Sequence, residues 1–294
     1  MVDLGFRNIS IIGMGLMGSS LGKALVKFCP CTRVTGIVRR EEAVGQVVAQ
    51  KAAHICTLSL ADGLKDADLV VLSMPVEVIC RFAGKIAPYL KAGCVVTDMG
   101  STKKQIVDTV SATLAGKAVF IGSHPMAGSE KTGLDNAYPE LFEGSVCIIT
   151  PEKNIDKALT ARLSRFWQNV GCRIKYIPPD EHDLLIAAVS HVPYLVASAL
   201  VNFAGDIQSD NVRALDVATP LFKQTTRVAS GSPQMWRDIC LSNKTHILAV
   251  MQKLEENIKF VRETLLDEDE QAIKAYLHKA KSARDNLSIG NKNF

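Results

Sequence analysis

The chain has 294 residues and a formal net charge of +4 at pH 7, with 47% hydrophobic and 22% charged residues. These values are ordinary for a soluble globular protein, and the length is enough for two domains that each bury a core. So small a charge excess, without basic runs interleaved with aromatic residues, argues against nucleic acid as a partner.

The first half of the chain alternates short apolar runs with segments of helical length. Strands are predicted at 10–12, 34–38, 69–73, 94–98, 119–122, 146–150 and 173–177. Helices are predicted at 18–28, 41–51, 76–89, 102–114 and 155–170. Because the strand runs are almost continuously apolar, both faces of the sheet should be covered. The alternation therefore predicts an α/β domain with a parallel, doubly wound sheet.

Only helical periodicity is found after the Pro178-Pro179-Asp180 turn. One face of a predicted helix carries the apolar residues Val250, Leu254, Ile258, Val261 and Leu265. We therefore expect an α/β domain over residues 1–178, followed by an all-helical domain over residues 179–294.

The longest apolar stretch, 184–200, contains Ser190, His191 and Pro193. Polar residues and a proline within the stretch favour a buried helix over a membrane span, so no membrane partner is expected. The helix is long for a lone helical domain of this size to cover. We therefore expect a homodimer in which the C-terminal helical domains pack together.

Eight cysteines are spread along the chain, and none form a Cys-x-x-Cys pair. Most lie in apolar, strand-like contexts, which is typical of reduced, buried thiols. The closest pair, Cys29 and Cys31, has the wrong spacing for a zinc knuckle. The first strand-like run begins soon after the N-terminus, and no charged-then-apolar leader with a small-residue cleavage site precedes it. We therefore expect a cytoplasmic protein with no metal site.

A glycine-rich turn, Gly-Met-Gly-Leu-Met-Gly, joins the first predicted strand to the first predicted helix. Gly13 permits the tight turn, Gly15 lets the backbone approach a pyrophosphate, and Gly18 lets the helix pack close to the strand. This turn, with Leu16 and Met17, and the helix N-terminus would hold the phosphates of a dinucleotide. The pattern predicts a Rossmann-type domain, and the alternative is a glycine-rich turn without a ligand.

The end of the second predicted strand bears on which dinucleotide is used. NAD-preferring sites place an acidic residue there to hold the ribose hydroxyls, but this chain has Val38. Arg39 and Arg40 follow, and a guanidinium at this point can pair with a 2′-phosphate. NADP is therefore favoured over NAD. The alternative is that both arginines are simply solvated in a loop.

Two polar segments follow the fourth and fifth predicted strands, whose carboxyl ends are where ligands bind in such sheets. The first contains Ser101 and the second contains His124. Because Pro125 and Gly128 frame His124, an open loop is favoured over a core position, and a histidine there can act as a general base near neutral pH. The alternatives are a helix cap for Ser101 and a structural role for His124.

The sequence resembles the prephenate/arogenate dehydrogenase family over nearly its whole length. Besides the glycine turn, the resemblance rests on Asp98-Met99-Gly100-Ser101-Thr102-Lys103, His124-Pro125-Met126-Ala127-Gly128, Ser190-His191-Val192-Pro193 and Thr225-Thr226-Arg227-Val228-Ala229. It implies NAD(P)-linked oxidative decarboxylation of arogenate and/or prephenate. The products would be tyrosine or 4-hydroxyphenylpyruvate, made in tyrosine biosynthesis.

The resemblance also implies roles for individual residues. His124 would take the proton of the substrate hydroxyl, and Ser101 would hydrogen-bond both His124 and that hydroxyl. Arg227 would bind a substrate carboxylate, a task that suits a guanidinium. Ser73, Pro75 and Ser101 would lie near the nicotinamide. The rest of the substrate pocket would be lined by Ser129, Glu130, His191 and Trp236.

Two departures from the family pattern bear on the substrate. Many prephenate-specific members have a second histidine where this chain has Tyr194, and many have Phe-Arg-Asp where it has Phe222-Lys223-Gln224. By family analogy both positions lie near the substrate side chain, which is a keto acid in prephenate and an amino acid in arogenate. The sequence therefore favours arogenate or dual use.

Two other functions remain open. A β-hydroxyacid dehydrogenase of the 6-phosphogluconate type has a similar turn, but it carries a catalytic lysine on the first helix of its second domain. The matching segment here, 183–203, contains no lysine. A non-catalytic NADP-binding regulator would keep the glycine turn without needing Ser101 and His124 as a pair.

Overall fold

The computed structural model describes residues 5–128 and 131–290. They form two compact units that divide in sequence between Lys244 and Thr245. The domain boundary predicted near residue 178 lies inside the first unit and stays a prediction.

A six-stranded parallel sheet forms the first part of the chain, with the order β3-β2-β1-β4-β5-β6. Its strands are β1 (Asn8–Ile12), β2 (Arg33–Ile37), β3 (Ile55–Thr57), β4 (Leu69–Leu72), β5 (Val95–Asp98) and β6 (Val119–Phe120). The connecting helices are α1 (Leu16–Phe28), α2 (Glu41–Ala49), α3 (Leu60–Leu64), α4 (Val76–Ile86) and α5 (Lys104–Leu114). The predicted doubly wound sheet is confirmed. Sequence periodicity missed β3 and α3, which are too short to show a period.

Two hydrophobic clusters cover the two faces of this sheet. Along β4, Leu69 and Val71 belong to one cluster, whereas Val70 and Leu72 belong to the other. Successive strand residues point to opposite faces, so a strand buried on both sides must be apolar at every position. That requirement explains the unbroken apolar runs in the sequence.

A separate three-stranded sheet follows, made of β7 (Gly122–Pro125), β8 (Val146–Thr150) and β9 (Arg173–Tyr176). β7 pairs antiparallel with β8, and β8 pairs parallel with β9 across helix α6 (Lys157–Asn169). The run at 146–150, counted among the strands of the parallel sheet, therefore belongs to a different, mixed sheet. The predicted strand 119–122 breaks at Ile121 into strands of two different sheets, because apolar periodicity does not report which sheet a strand joins.

The rest of the first unit is mainly helical. It contains α7 (Pro179–Ile186), a π-helical turn (Ala187–His191), α8 (Val192–Gly205), α9 (Pro220–Thr226) and α10 (Pro233–Ser242). A two-stranded hairpin, β10 (Gln208–Ser209) and β11 (Val212–Arg213), interrupts the helices. The expectation of helices alone is wrong at this hairpin, whose strands are too short to produce an alternating pattern.

The helical stretch Pro179–Gly205 is long and apolar enough to cross a membrane, judged by length and composition alone. Within the single chain only 33% of its most apolar window is buried, and Val189 and Phe203 are exposed. In a single copy of the chain this helix is only partly buried. The prediction of a buried helix is therefore only partly confirmed.

The second unit consists of α11, which spans Lys244–Leu266 and enters this unit at Thr245, and α12 (Glu270–Gly290). Leu254, Ile258, Val261 and Leu265 line a groove together with Tyr276. Four of the five residues of the predicted apolar helix face therefore line this groove.

Candidate active site

The glycine turn between β1 and α1 has three glycines in different surroundings. Gly13 has φ +96°, and a Cβ there would come 2.2 Å from the carbonyl oxygen of Ser73. A Cβ on Gly18 would come 2.0 Å from the carbonyl oxygen of Gly13. Around a Cβ on Gly15 there is nothing within 4 Å. Gly13 and Gly18 are thus required by the fold, whereas Gly15 leaves open space into which a ligand can come close to the backbone.

That open space belongs to a cleft of about 450 Å³, here named the nucleotide cleft. Residues from the turn and from the ends of β4, β5 and β7 line it, including Gly15, Leu16, Met17, Ser73, Pro75, Ser101 and His124. The structure therefore brings together most of the residues predicted to hold the cofactor. The N-terminus of α1 opens at this cleft, so its free N–H groups suit a pyrophosphate.

Arg39 and Arg40 lie just beyond the carboxyl end of β2 and are exposed. Neither is among the described residues that line the nucleotide cleft. Arg40 immediately precedes α2, whose first turn carries Glu41 and Glu42. The position at the strand end is the one predicted, and contact with a nucleotide stays a prediction.

A second cavity of about 290 Å³ adjoins the cleft and shares Ser101 and His124 with it. It is named the histidine cavity and is lined by Ser101, His124, Met126, Ala127, Gly128, Ser190, His191, Met235, Trp236 and Ile239. A molecule that extends from the cleft into this cavity can therefore contact both Ser101 and His124.

His124 lies on strand β7 and is 8% exposed, so its placement in an open loop is a wrong prediction. Because β7 leaves the parallel sheet to pair with β8, the side chain still reaches both cavities. Burial, followed by the neighbouring His182, Lys103 and His191, holds the pKa of His124 well below its usual value. His124 is therefore neutral at pH 7 and able to accept a proton.

Behind His124 lies a chain of buried polar groups that sequence reasoning missed. Nδ1 of His124 is 2.9 Å from Nε2 of His182, and Nδ1 of His182 is 2.8 Å from Oδ1 of Asp183. Asp183 also accepts the backbone N–H groups of Lys103 at 2.7 Å and Lys104 at 2.9 Å. No sequence motif marks His182 and Asp183, which lie within helix α7; His182 is 58 residues beyond His124.

Ser101 lines both cavities but does not cap the following helix. Helix α5 starts at Lys104 rather than at 102, and its first N–H groups are held by Asp183. In the described structure, the hydrogen bond of His124 is to His182, and none joins Ser101 to His124. Ser101 and His124 thus share the cavity wall without direct pairing.

A buried ion pair between Lys103 and Asp98 fixes this part of the site, and both side chains are fully buried. Asp98 also accepts the backbone N–H of Gly100 at 2.8 Å and that of Ser123 at 3.1 Å. Because a buried charge needs a full set of partners, this arrangement holds the ends of β5 and β7 together. Ser101 and His124 are positioned by it.

His191 and Trp236 lie in the histidine cavity, as predicted for the substrate pocket. His191 is 1% exposed, and burial lowers its pKa to about 4. Its Nδ1 is 3.1 Å from Nδ2 of Asn243, while its Nε2 has no hydrogen-bond partner in the described structure. Trp236 stacks on Tyr194 with ring centroids 3.6 Å apart.

The described structure does not bring Arg227 into the wall of either cavity. Arg227 is exposed at the end of α9 and is absent from the lining of both cavities. Ser129 and Glu130 lie outside the described residues. Among the residues that are described, no cluster of three or more His, Cys, Asp or Glu side chains suits a metal ion.

A doubly wound sheet with this glycine turn, and a buried neutral histidine beside the cleft, defines a dinucleotide-dependent dehydrogenase. The chain matches the family model described as prephenate dehydrogenase, nucleotide-binding domain, over residues 21–176. It also matches the model described as prephenate dehydrogenase, dimerization domain, over residues 178–279.

Individual relatives agree with this. A prephenate dehydrogenase of Bacillus subtilis is 34% identical over 97% of this chain and 77% of its own length. The Aquifex aeolicus prephenate dehydrogenase, solved with hydroxyphenyl propionate and NAD+, is 32% identical with a TM-score of 0.90, covering 96% and 98% of the two chains. Synechocystis arogenate dehydrogenase is 25% identical with a TM-score of 0.85, covering 96% of this chain and all (100%) of the other.

The chain therefore belongs to the prephenate dehydrogenase family. It is an NAD(P)-linked oxidoreductase of tyrosine biosynthesis that catalyses the oxidative decarboxylation of prephenate and/or arogenate.

Proposed function

We propose that this enzyme oxidises arogenate, or both arogenate and prephenate, with NADP, and that His124 is its general base. The proposal rests above all on one observation: His124 lies at the junction of the nucleotide cleft and the histidine cavity. A base at this junction can take a proton from a substrate group while the same carbon faces the nicotinamide.

The proposed reaction couples hydride transfer to the loss of carbon dioxide. When bound, the nicotinamide cofactor accepts a hydride from the ring carbon that bears the substrate hydroxyl. His124 takes the hydroxyl proton, the ring carboxylate leaves as carbon dioxide, and its bonding electrons make the ring aromatic. The proton on His124 returns to the resulting phenolic oxygen, so no net proton is released. Aromatisation supplies the driving force, and the protein supplies positioning and a base.

The other site residues bind the substrate. Ser101 hydrogen-bonds the reacting hydroxyl, since it lines the cavity beside His124. His191 donates a hydrogen bond to an anionic oxygen, and Trp236 forms an apolar wall. Arg227 binds a carboxylate, and Ser129 and Glu130 complete the pocket, a proposal that rests on the family motifs.

NADP is preferred over NAD in this proposal because Arg39 and Arg40 follow β2 where NAD-specific sites need an acidic side chain. Arogenate use is supported by Tyr194, which takes the place of a histidine and stacks on Trp236. The side-chain end of the pocket thereby lacks one imidazole that could bind a keto acid.

We further propose that the enzyme acts in the cytoplasm as a homodimer joined through its C-terminal helical region, without nucleic acid or membrane partners. The exposed apolar side chains of Pro179–Gly205 support self-association, since large apolar patches on a single chain mark protein interfaces. The eight free thiols suit a reducing compartment.

Steady-state kinetics with both substrates and both cofactors test the proposal. We expect the highest kcat/KM with arogenate and NADP, and a product that is tyrosine. A clear preference for NAD would refute the cofactor choice. Absence of reduced cofactor with every combination would favour a non-catalytic nucleotide-binding protein instead.

A further inference from the structure

Asp183 is the centre of a buried network behind the two cavity histidines. Burial by itself raises the pKa of Asp183, but hydrogen bonds from His182, Lys104 and Lys103 outweigh it, and the pKa is lowered. The carboxylate is therefore ionised at neutral pH and can only accept hydrogen bonds. Its Oδ1 faces both the Lys103 N–H and Nδ1 of His182, and its Oδ2 faces the Lys104 N–H.

This acceptor determines where the protons of His182 and His124 lie. Nδ1 of His182 must carry a proton, since it faces a carboxylate oxygen at 2.8 Å. Burial is the largest influence on the pKa of His182 and lowers it, so the ring is neutral and its Nε2 holds a lone pair. That lone pair lies 2.9 Å from Nδ1 of His124, which must therefore donate. Nε2 of neutral His124 is left as an acceptor.

A second branch of the network acts on His191. Nδ2 of Asn243 lies 2.7 Å from the carbonyl oxygen of Asp183, and a carbonyl only accepts, so the amide orientation of Asn243 is determined. The same Nδ2 faces Nδ1 of His191 at 3.1 Å, which makes that nitrogen an acceptor. The neutral His191 ring therefore carries its proton on Nε2, a buried atom for which the described residues provide no hydrogen-bond partner.

We infer that Asp183, acting through His182 and Asn243, sets opposite tautomers on the two histidines of one cavity. Nε2 of His124 is held as a proton acceptor, and Nε2 of His191 is held as a hydrogen-bond donor. This inference rests on the proposed function and deepens it, because it gives a cyclohexadiene acid a base for its hydroxyl and a donor for an anionic oxygen. His182, Asp183 and Asn243 are positioning residues, since each acts through another group.

Two substitutions at His182 separate tautomer control from packing. In His182→Gln the amide oxygen can accept from His124 while the amide N–H donates to Asp183, so we expect kcat within about 5-fold of the parent. In His182→Leu the side chain is apolar and nothing accepts from His124. We expect kcat to fall by roughly 10- to 100-fold with KM for the cofactor unchanged. Equal losses in both variants, or better activity in the leucine variant, would mean that the side chain only fills space.

Asn243→Leu tests the second branch, and Glu181→Gln is the control. Asn243→Leu should raise KM for the substrate about 10-fold while kcat changes less. The reason is that Nε2 of His191 is no longer held as a hydrogen-bond donor, whereas Nε2 of His124 is still held as a proton acceptor. Glu181 is exposed and lies on the same helix as Asp183, so Glu181→Gln removes a charge from that helix and leaves the buried network in place. A kcat loss in Asn243→Leu as large as that in His182→Leu would contradict two separate branches.

Nitrogen-15 NMR of the six histidines reads the tautomers directly, without turnover. Single histidine substitutions assign the signals. At pH 7.5, His124 should then show a proton on Nδ1, and His191 should show a proton on Nε2. In His182→Leu the His124 signals should become those of a mixture. The opposite tautomers in the parent protein would overturn the inference. If the tautomers are as stated but neither substrate is oxidised, the proposed function fails and the network stands.

Discussion

The carboxylate of Asp183 caps helix α5 by accepting the backbone N–H of Lys104 at 2.9 Å. The cap therefore comes from helix α7, 79 residues further along the chain. Because the same carboxylate also holds His182, the helix that follows Ser101 and the base His124 are anchored to one buried group. The distance between the two cavity groups thus depends on a residue that touches neither cavity.

Loss of the base should reduce catalysis without loss of cofactor. We expect His124→Asn to lower kcat by roughly 100-fold or more, as removal of a general base does, while NADP binding stays normal. Steady-state kinetics and a fluorescence titration with NADPH measure the two effects. The control is His278→Asn, which changes an exposed histidine on α12. Near-normal turnover of His124→Asn would remove this residue from the chemistry.

Alanine substitutions at two glycines of the turn should affect different properties: cofactor affinity at Gly15 and fold stability at Gly18. Gly15→Ala should leave stability unchanged and raise the Kd for NADP about 10-fold or more, since only a ligand competes for that space. Gly18→Ala should destabilise the fold by roughly 1–3 kcal/mol, because its Cβ would overlap the carbonyl oxygen of Gly13. Urea unfolding and NADP titration separate the effects, with exposed Gly45→Ala as the control. Normal NADP affinity in Gly15→Ala would contradict the proposed phosphate site.

The arginines after β2 should set the preference between the two cofactors. We expect replacement of both Arg39 and Arg40 by serine to raise KM for NADP about 10-fold or more while changing KM for NAD less than 3-fold. Arg33→Ser is the matched control, because Arg33 is exposed at the opposite end of the same strand. Equal KM changes for both cofactors would show that these arginines do not contact a 2′-phosphate.

Arg227→Ala should raise KM for the substrate strongly with little change in cofactor affinity, if this guanidinium binds a carboxylate. Arg165→Ala removes an exposed arginine from helix α6, which lines neither cavity, and serves as the control. An unchanged KM in Arg227→Ala would remove Arg227 from the pocket, in line with its exposed position in the described structure.

Stability should fall in acid because of the buried histidines. The pKa of His191 is lowered by burial to about 4, below its value in the unfolded chain. The unfolded state then binds more protons, so this contribution is fully present above about pH 6.5 and is lost as pH falls toward 4. Its full size is roughly 3 kcal/mol. Urea unfolding at pH 7.5, 6 and 5 should show a smaller loss for His191→Gln than for the parent. Identical losses would contradict a buried, neutral His191.

The parts predicted from sequence were those with a local signal. Gly13, Gly15 and Gly18 are three glycines at fixed spacing between a strand and a helix, and the structure has that strand, turn and helix. The placement of His124 in a loop was wrong because antiparallel pairing with β8 depends on residues more than twenty positions away. His182, Asp183 and Asn243 were missed for the same reason: each is an ordinary polar residue until the fold buries it.

Single-turnover oxidation of arogenate carrying a labelled ring carboxylate tests the central claim most directly. Enzyme in excess, NADP and labelled substrate are mixed, and NADPH, carbon dioxide and tyrosine are measured together. Coupled hydride transfer and decarboxylation predict one carbon dioxide and one tyrosine for each NADPH, with all three slowed equally in His124→Asn. Formation of NADPH without release of the label, or release of the label without NADPH, would contradict the account.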